Sequence, residues 1–165
     1  MRRLLVMLFG VLILIVTHQA IYSRERLITQ GQVVLLRLAP VDPRSLMQGD
    51  YMRLRFEVAN DLRKVLGDAD VVDGHVIIAA ADDGVAAFVR IDDGSALAAN
   101  ERRMRFRLRG GRVKFGTNAF FFEEGTAGVY SQARYGEFRV DTDGEAILTH
   151  LRGDGLQRLQ PGSAG

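Results

Sequence analysis

The densest group of chemically capable side chains lies in Pro40-Val41-Asp42-Pro43-Arg44-Ser45-Leu46-Met47-Gln48-Gly49-Asp50-Tyr51. Ser45 would serve as a hydrolytic nucleophile only with a lysine or histidine beside it to take its proton. The only lysines are Lys64 and Lys114, each in a charged stretch. Asp42 and Asp50 could act in hydrolysis as loop carboxylates. The same residues also make a rigid turn. Two prolines fix φ, Asp42-Pro43 initiates a turn, Gly49 suits positive φ, and the Asp50 carboxylate can cap backbone N–H groups. The structural reading carries more weight, and the sequence favours a non-enzymatic role over an envelope hydrolase.

Other chemistry is sparser. Adjacent acids occur at Asp82-Asp83, Asp92-Asp93 and Glu123-Glu124. Neighbouring strand residues point to opposite faces, so such pairs do not converge on one metal or bond. Asp92-Asp93-Gly94 and Asp141-Thr142-Asp143-Gly144 lack the remaining ligands of a calcium loop and read as turns. His18, His75 and His150 have no metal-ligand spacing, and there is no cysteine, which removes thiolate, disulfide and cysteine–zinc chemistry. No cofactor and no metal are expected.

Elements must position these residues, and the first is apolar. In Leu4–Val16, eleven of thirteen residues are Leu, Ile, Val or Phe, worth about 3 to 7 kcal/mol toward insertion. Extended to Tyr22 the helix is about 28 Å long, close to the ~30 Å hydrocarbon core. A cleaved signal peptide is the rival, but His18 or Ile21 occupies the position where cleavage wants a small residue. Arg2, Arg3 and the α-amine before the helix, against Arg24 and Arg26 after it, together with the export-signal shape of the short n-region, place the N-terminus on the inner side of the bacterial inner membrane and the domain in the periplasm. The divisions are 1–3 cytoplasmic, 4–22 transmembrane, 23–31 stalk, 32–152 a β-rich domain and 153–165 a flexible tail.

Residues 1–26 hold four of the 22 basic and one of the 20 acidic side chains, leaving 18 against 19 in the rest. A nearly neutral domain argues against nucleic-acid binding. Strand signals run over Gln32–Leu38, over Tyr51–Val58 with Met52, Leu54, Phe56 and Val58 on one face, and over His75–Ala80 and Ala86–Ile91 about an Asp82-Asp83-Gly84 turn. They continue over Arg103–Arg109, over Arg112–Phe122 after Gly110-Gly111, and over Phe138–Val140 and Ala146–Leu151. Short helices are expected at Asn60–Leu66, capped by Asn60, and within Gly125–Arg134, with loop over Gly67–Gly74. The fold class is mainly β, an antiparallel barrel or sandwich with one or two short helices after a single transmembrane helix. Arg103, Arg105, Arg107 and Arg109, with Arg112 and Lys114 across the turn, either meet an anionic partner or pair with the nine carboxylates of residues 57–93.

Gly49-Asp50-Tyr51-Met52-Arg53-Leu54-Arg55-Phe56 resembles the motif of the GDYXXLXY family of bacterial membrane-anchored proteins, with Phe56 where the motif has tyrosine. The lead-in Pro40-Val41-Asp42-Pro43-Arg44 is similar too, as are Phe121-Phe122-Glu123-Glu124-Gly125, Ala133-Arg134-Tyr135-Gly136 and Val140-Asp141. The resemblance spans residues 1–152. It implies no particular activity, but it does imply a polytopic membrane-protein partner, because members tend to be encoded beside such proteins. On it the candidate interaction residues are Pro40, Asp42, Pro43, Arg44, Gly49, Asp50, Tyr51, Leu54, Phe56, Glu124 and Gly125.

Overall fold

The computed structural model describes residues 2–40, 47–48, 51–69 and 71–162, with side chains outside 2–6, 47–48 and 71. The apolar N-terminal segment forms helix α1, Arg2–Gln30. Within it, Met7–Gln30 is long and apolar enough to cross a membrane, with a mean hydropathy of 1.4. Its apolar side chains from Met7 to Tyr22 all stand exposed. Leu27, near its end, is buried. Gly31 stops the helix and donates its N–H to the Leu27 carbonyl at 2.9 Å. A Cβ at Gly31 would lie 2.4 Å from that oxygen, so no larger residue fits the turn.

Among the described residues ten strands follow: β1 Gln32–Arg37, β2 Met47–Gln48, β3 Tyr51–Arg53, β4 Val71–Ala80, β5 Val85–Ile91, β6 Glu101–Arg109, β7 Arg112–Lys114, β8 Ala119–Phe121, β9 Tyr135–Val140 and β10 Ala146–Arg152. Seven form one curled sheet in the order β10-β9-β1-β5-β4-β6-β7, and β2-β3-β8 form a small second sheet. The Arg105 N–H donates to the Gly144 carbonyl at 2.7 Å, so β6 touches the β9–β10 turn and the large sheet closes on itself. Among the described residues the domain also holds helices α2, Glu57–Leu66, and α3, Ala127–Tyr130. Val34, Leu36, Phe56, Leu62, Ile78, Phe106, Phe115 and Phe138 share one continuous apolar core.

Period-two burial was the reliable signal. Met104, Phe106 and Leu108 of β6 are buried and the intervening arginines are not. The tight turns also fall as expected, with Gly84, Gly110, Gly111 and Gly144 all at positive φ.

Other expectations are corrected. The pairing of β1 with β5 is parallel, not antiparallel. The strand expected over Tyr51–Val58 ends at Arg53. Beyond it, the Leu54 N–H bonds to the Asn118 carbonyl and the Ala39 N–H to the Arg55 carbonyl, so the extended chain changes partners between the two sheets. Met52, Leu54, Phe56 and Val58 are nonetheless all buried, because α2 takes over at Glu57 and keeps Val58 inward. Phe56, not Asn60, is the N-cap, and it makes no side-chain cap bond. The loop expected over Gly67–Gly74 is partly strand, since β4 starts at Val71. Arg112–Phe122 divides between two sheets at Gly116, whose φ is +59°. The helix expected in Gly125–Arg134 is four residues long.

The tail is not frayed over its described length. Leu159 is buried and its N–H bonds to the Leu151 carbonyl. Residues 163–165 lie outside the described residues.

Candidate functional site: a basic cleft beside the motif

Asp42, Pro43, Arg44, Ser45, Gly49 and Asp50 lie outside the described residues. Of the rest, Leu54 and Phe56 are core. The Phe56 ring packs edge-on against Phe138 with centroids 5.2 Å apart. It also fills the space over Gly136, where a Cβ would come within 2.8 Å of it. Tyr51 packs against Phe121 at 5.8 Å. Glu124 is exposed, and Gly125 turns the chain at φ +83° with open space around it. Neither of the last two reaches the cleft described next.

That cleft, of about 390 Å³, lies where β1 runs out through Leu38 and Ala39 to Pro40. The chain leaving β3 forms one wall through Leu54 and Arg55, and the stretch from Tyr130 to Arg134 forms another. Its charged lining is Arg37, Arg53, Arg55 and Arg134 against Glu57. Arg37 stands 3.8 Å from the Glu57 carboxylate and lies 5.1 Å over the Tyr135 ring. Of the candidate residues, the cleft therefore brings together Pro40 and Leu54.

The six residues of β1 carry the chain about 20 Å from the end of α1, so Pro40 is near that helix in sequence and far from it in the fold.

The arginine stripe on β6 is largely neutralised. Arg103 meets Asp92 at 2.5 Å, Arg109 meets Asp73 at 2.6 Å, and Arg105 bonds Glu145. The partners come mostly from the acidic 57–93 region, as one of the two sequence readings expected. Two of the three acid pairs cap turns: Val85, Gly94 and Ser95 donate their N–H groups to Asp83, Asp92 and Asp93. No group of three metal-ligating side chains occurs among the described residues.

Sequence reasoning missed Glu137. It has no solvent exposure and accepts bonds from Arg152 Nε at 2.7 Å, Arg158 Nε at 2.9 Å and Arg158 Nη2 at 2.7 Å. His150 Nδ1 stands 3.7 Å from the same carboxylate, buried and without a hydrogen bond. Burial pushes Glu137 upward, but the two guanidiniums outweigh it and hold the carboxyl below its usual 4.5. The available signal was a lone acid in an apolar strand followed by Arg152 and Arg158.

A family model described as GDYXXLXY protein matches residues 13–151. No curated protein and no solved structure matches the chain.

Proposed function

We propose, from the premise that this chain belongs to the GDYXXLXY family, that it is a non-enzymatic accessory subunit of a bacterial envelope complex. In this reading α1 sits in the inner membrane, the β domain lies in the periplasm, and a polytopic membrane protein is the partner. The observation that carries it is the seating of the domain on its helix. The exposed apolar stretch from Met7 to Tyr22 continues unbroken along α1 to Gln30, where the helix meets a folded base. There Leu27 is buried, and Arg139 Nη1 donates to the Gly31 carbonyl at 2.9 Å. A flexible tether would let the domain range widely. A seated one holds it at a fixed height and orientation, as a subunit contacting a neighbour in the same membrane requires. Arg2 and Arg3 ahead of the span support the inward N-terminus.

The test pairs two measurements on detergent-solubilised protein from its native membrane. Affinity capture should recover a polytopic protein in stoichiometric amount, and a fluorophosphonate probe should leave the chain unlabelled. Labelling that disappears in Ser45→Ala would replace this reading with a hydrolase. Capture of no partner would remove the accessory role.

A further inference from the structure

A second groove lies beyond the chain leaving β3, and among the described residues its charged lining has one sign. It encloses about 610 Å³ between Arg53 and Arg55 on one side, Arg63 of α2 on another, and Arg112 and Lys114 of β7 on the third. No carboxylate lines it among the described residues. The acids of α2 are engaged elsewhere, Glu57 beside Arg37 and Asp61 on Lys64 at 2.7 Å. Asn118 closes the floor. Its side chain accepts from the Phe115 N–H and donates to the Val113 carbonyl, while its carbonyl takes the Leu54 N–H.

Two independent features set Arg55, Arg112 and Lys114 apart from ordinary solvated side chains. First, most other arginines of the domain are spoken for: Arg90 on Glu101, Arg103 on Asp92, Arg105 on Glu145, Arg109 on Asp73, and Arg152 and Arg158 on Glu137. Arg55, Arg112 and Lys114 make no ion pair among the described residues, in a domain that carries slightly more acid than base. Second, the register sets like charges directly opposite one another, Arg107 against Lys114 and Arg109 against Arg112. Such cross-strand pairs are destabilising. A fold that tolerates two of them beside a cavity with no carboxylate among its described lining residues is using the charge for something other than its own stability.

We infer that this groove binds a soluble ligand carrying two or more phosphate groups. Guanidinium forks match phosphate oxygens two at a time, and several cations in one concavity suit clustered negative charge. The volume is that of a small-molecule site. A longer acidic peptide would need the basic track to continue, and along β6 it is interrupted by Asp73, Asp92 and Glu145. The groove is also remote from the chain's own bilayer. Arg102 bonds Gln32 at the anchor end of the domain, and from there β6 runs seven residues, about 23 Å, before Arg109. This inference is independent of whether a polytopic partner exists.

The experiment titrates the full-length protein in detergent, at low ionic strength, with sodium pyrophosphate. Decaglutamate and phosphatidylglycerol vesicles are run in parallel, and binding is followed by calorimetry and by Tm. Pyrophosphate should bind saturably and raise Tm. Arg112→Thr/Lys114→Thr should weaken binding about tenfold or more, while leaving the ligand-free Tm unchanged or higher because two repulsive pairs are gone. The charge-matched Arg24→Gln/Arg26→Gln should bind like wild type. The inference is overturned if pyrophosphate does not bind, if both double variants bind it equally, or if decaglutamate or vesicles bind in its place.

Discussion

Glu137 shows what a single buried charge commits a fold to. Its carboxylate is fully enclosed and satisfied by two arginines from the C-terminal segment, so it ties Arg158 and the neighbouring Leu159 to β9. Removing one partner of such a cluster strands the others. Glu137→Ala should therefore lower unfolding free energy by about 3 kcal/mol, read from denaturant midpoints, and expose the tail to protease. His150 gives the cluster a pH dependence. Burial, then Arg158, hold its imidazole below the usual 6.5, against the pull of Glu137. The unfolded chain thus takes up the proton first, and stability falls as pH drops below about 6.5. Glu137, held below 4.5, adds its own loss only at lower pH. Denaturant midpoints should decline from about pH 7 to about pH 5 in wild type and stay flatter in His150→Gln. Equal slopes would remove His150 from the account.

Elements divide into those whose signals are local and those whose partners are not. The hairpins about Gly84, Gly110-Gly111 and Gly144 were legible because positive φ and period-two burial are written in adjacent residues. The partner exchange at Leu54 was not, since the groups that end β3 belong to Asn118 and Ala39. For the same reason the parallel placement of β1 between β9 and β5 has no local signature. The candidate site was legible only in part. The motif pointed to Pro40 and Leu54, whereas the arginines lining the cleft come from β1, the last residue of β3, the chain after it and the residue before β9. The Phe56–Gly136 contact links two segments of the family pattern for a packing reason. With Phe56 Cε1 at 2.8 Å and Leu148 Cδ1 at 3.1 Å from a Cβ built on Gly136, the half-buried Leu148 can give way but the fully buried Phe56 ring has little room to retreat. Gly136→Ala should cost about 1–3 kcal/mol through overpacking. A Tm indistinguishable from wild type would show that Phe56 can move aside.

At the scale of the whole molecule, the question is where the bilayer ends along α1. If Leu4–Tyr22 spans the core, the remaining helix to Gln30 rises about 12 Å above it at 1.5 Å per residue, and the seated domain stands clear of the headgroups. The chain has no cysteine, so each introduced thiol reports one position. In intact spheroplasts a membrane-impermeant maleimide should label Thr29→Cys, at the exposed end of the helix. It should leave Leu12→Cys, in the middle of the apolar run, unlabelled until detergent is added. Labelling of Thr29→Cys only after the cells are opened would reverse the orientation. Immediate labelling of Leu12→Cys would mean that the span is not in the membrane, and its exposed apolar face would then require a protein partner along its whole length. The seating at Gly31 adds a second readout. Arg139→Ala removes the side-chain bond to the Gly31 carbonyl without touching the span. It should preserve the labelling pattern while reducing capture of the polytopic partner, because a domain that swings on its helix spends less time in the contact geometry. Unchanged capture by Arg139→Ala would mean that height and orientation are not what the partner reads.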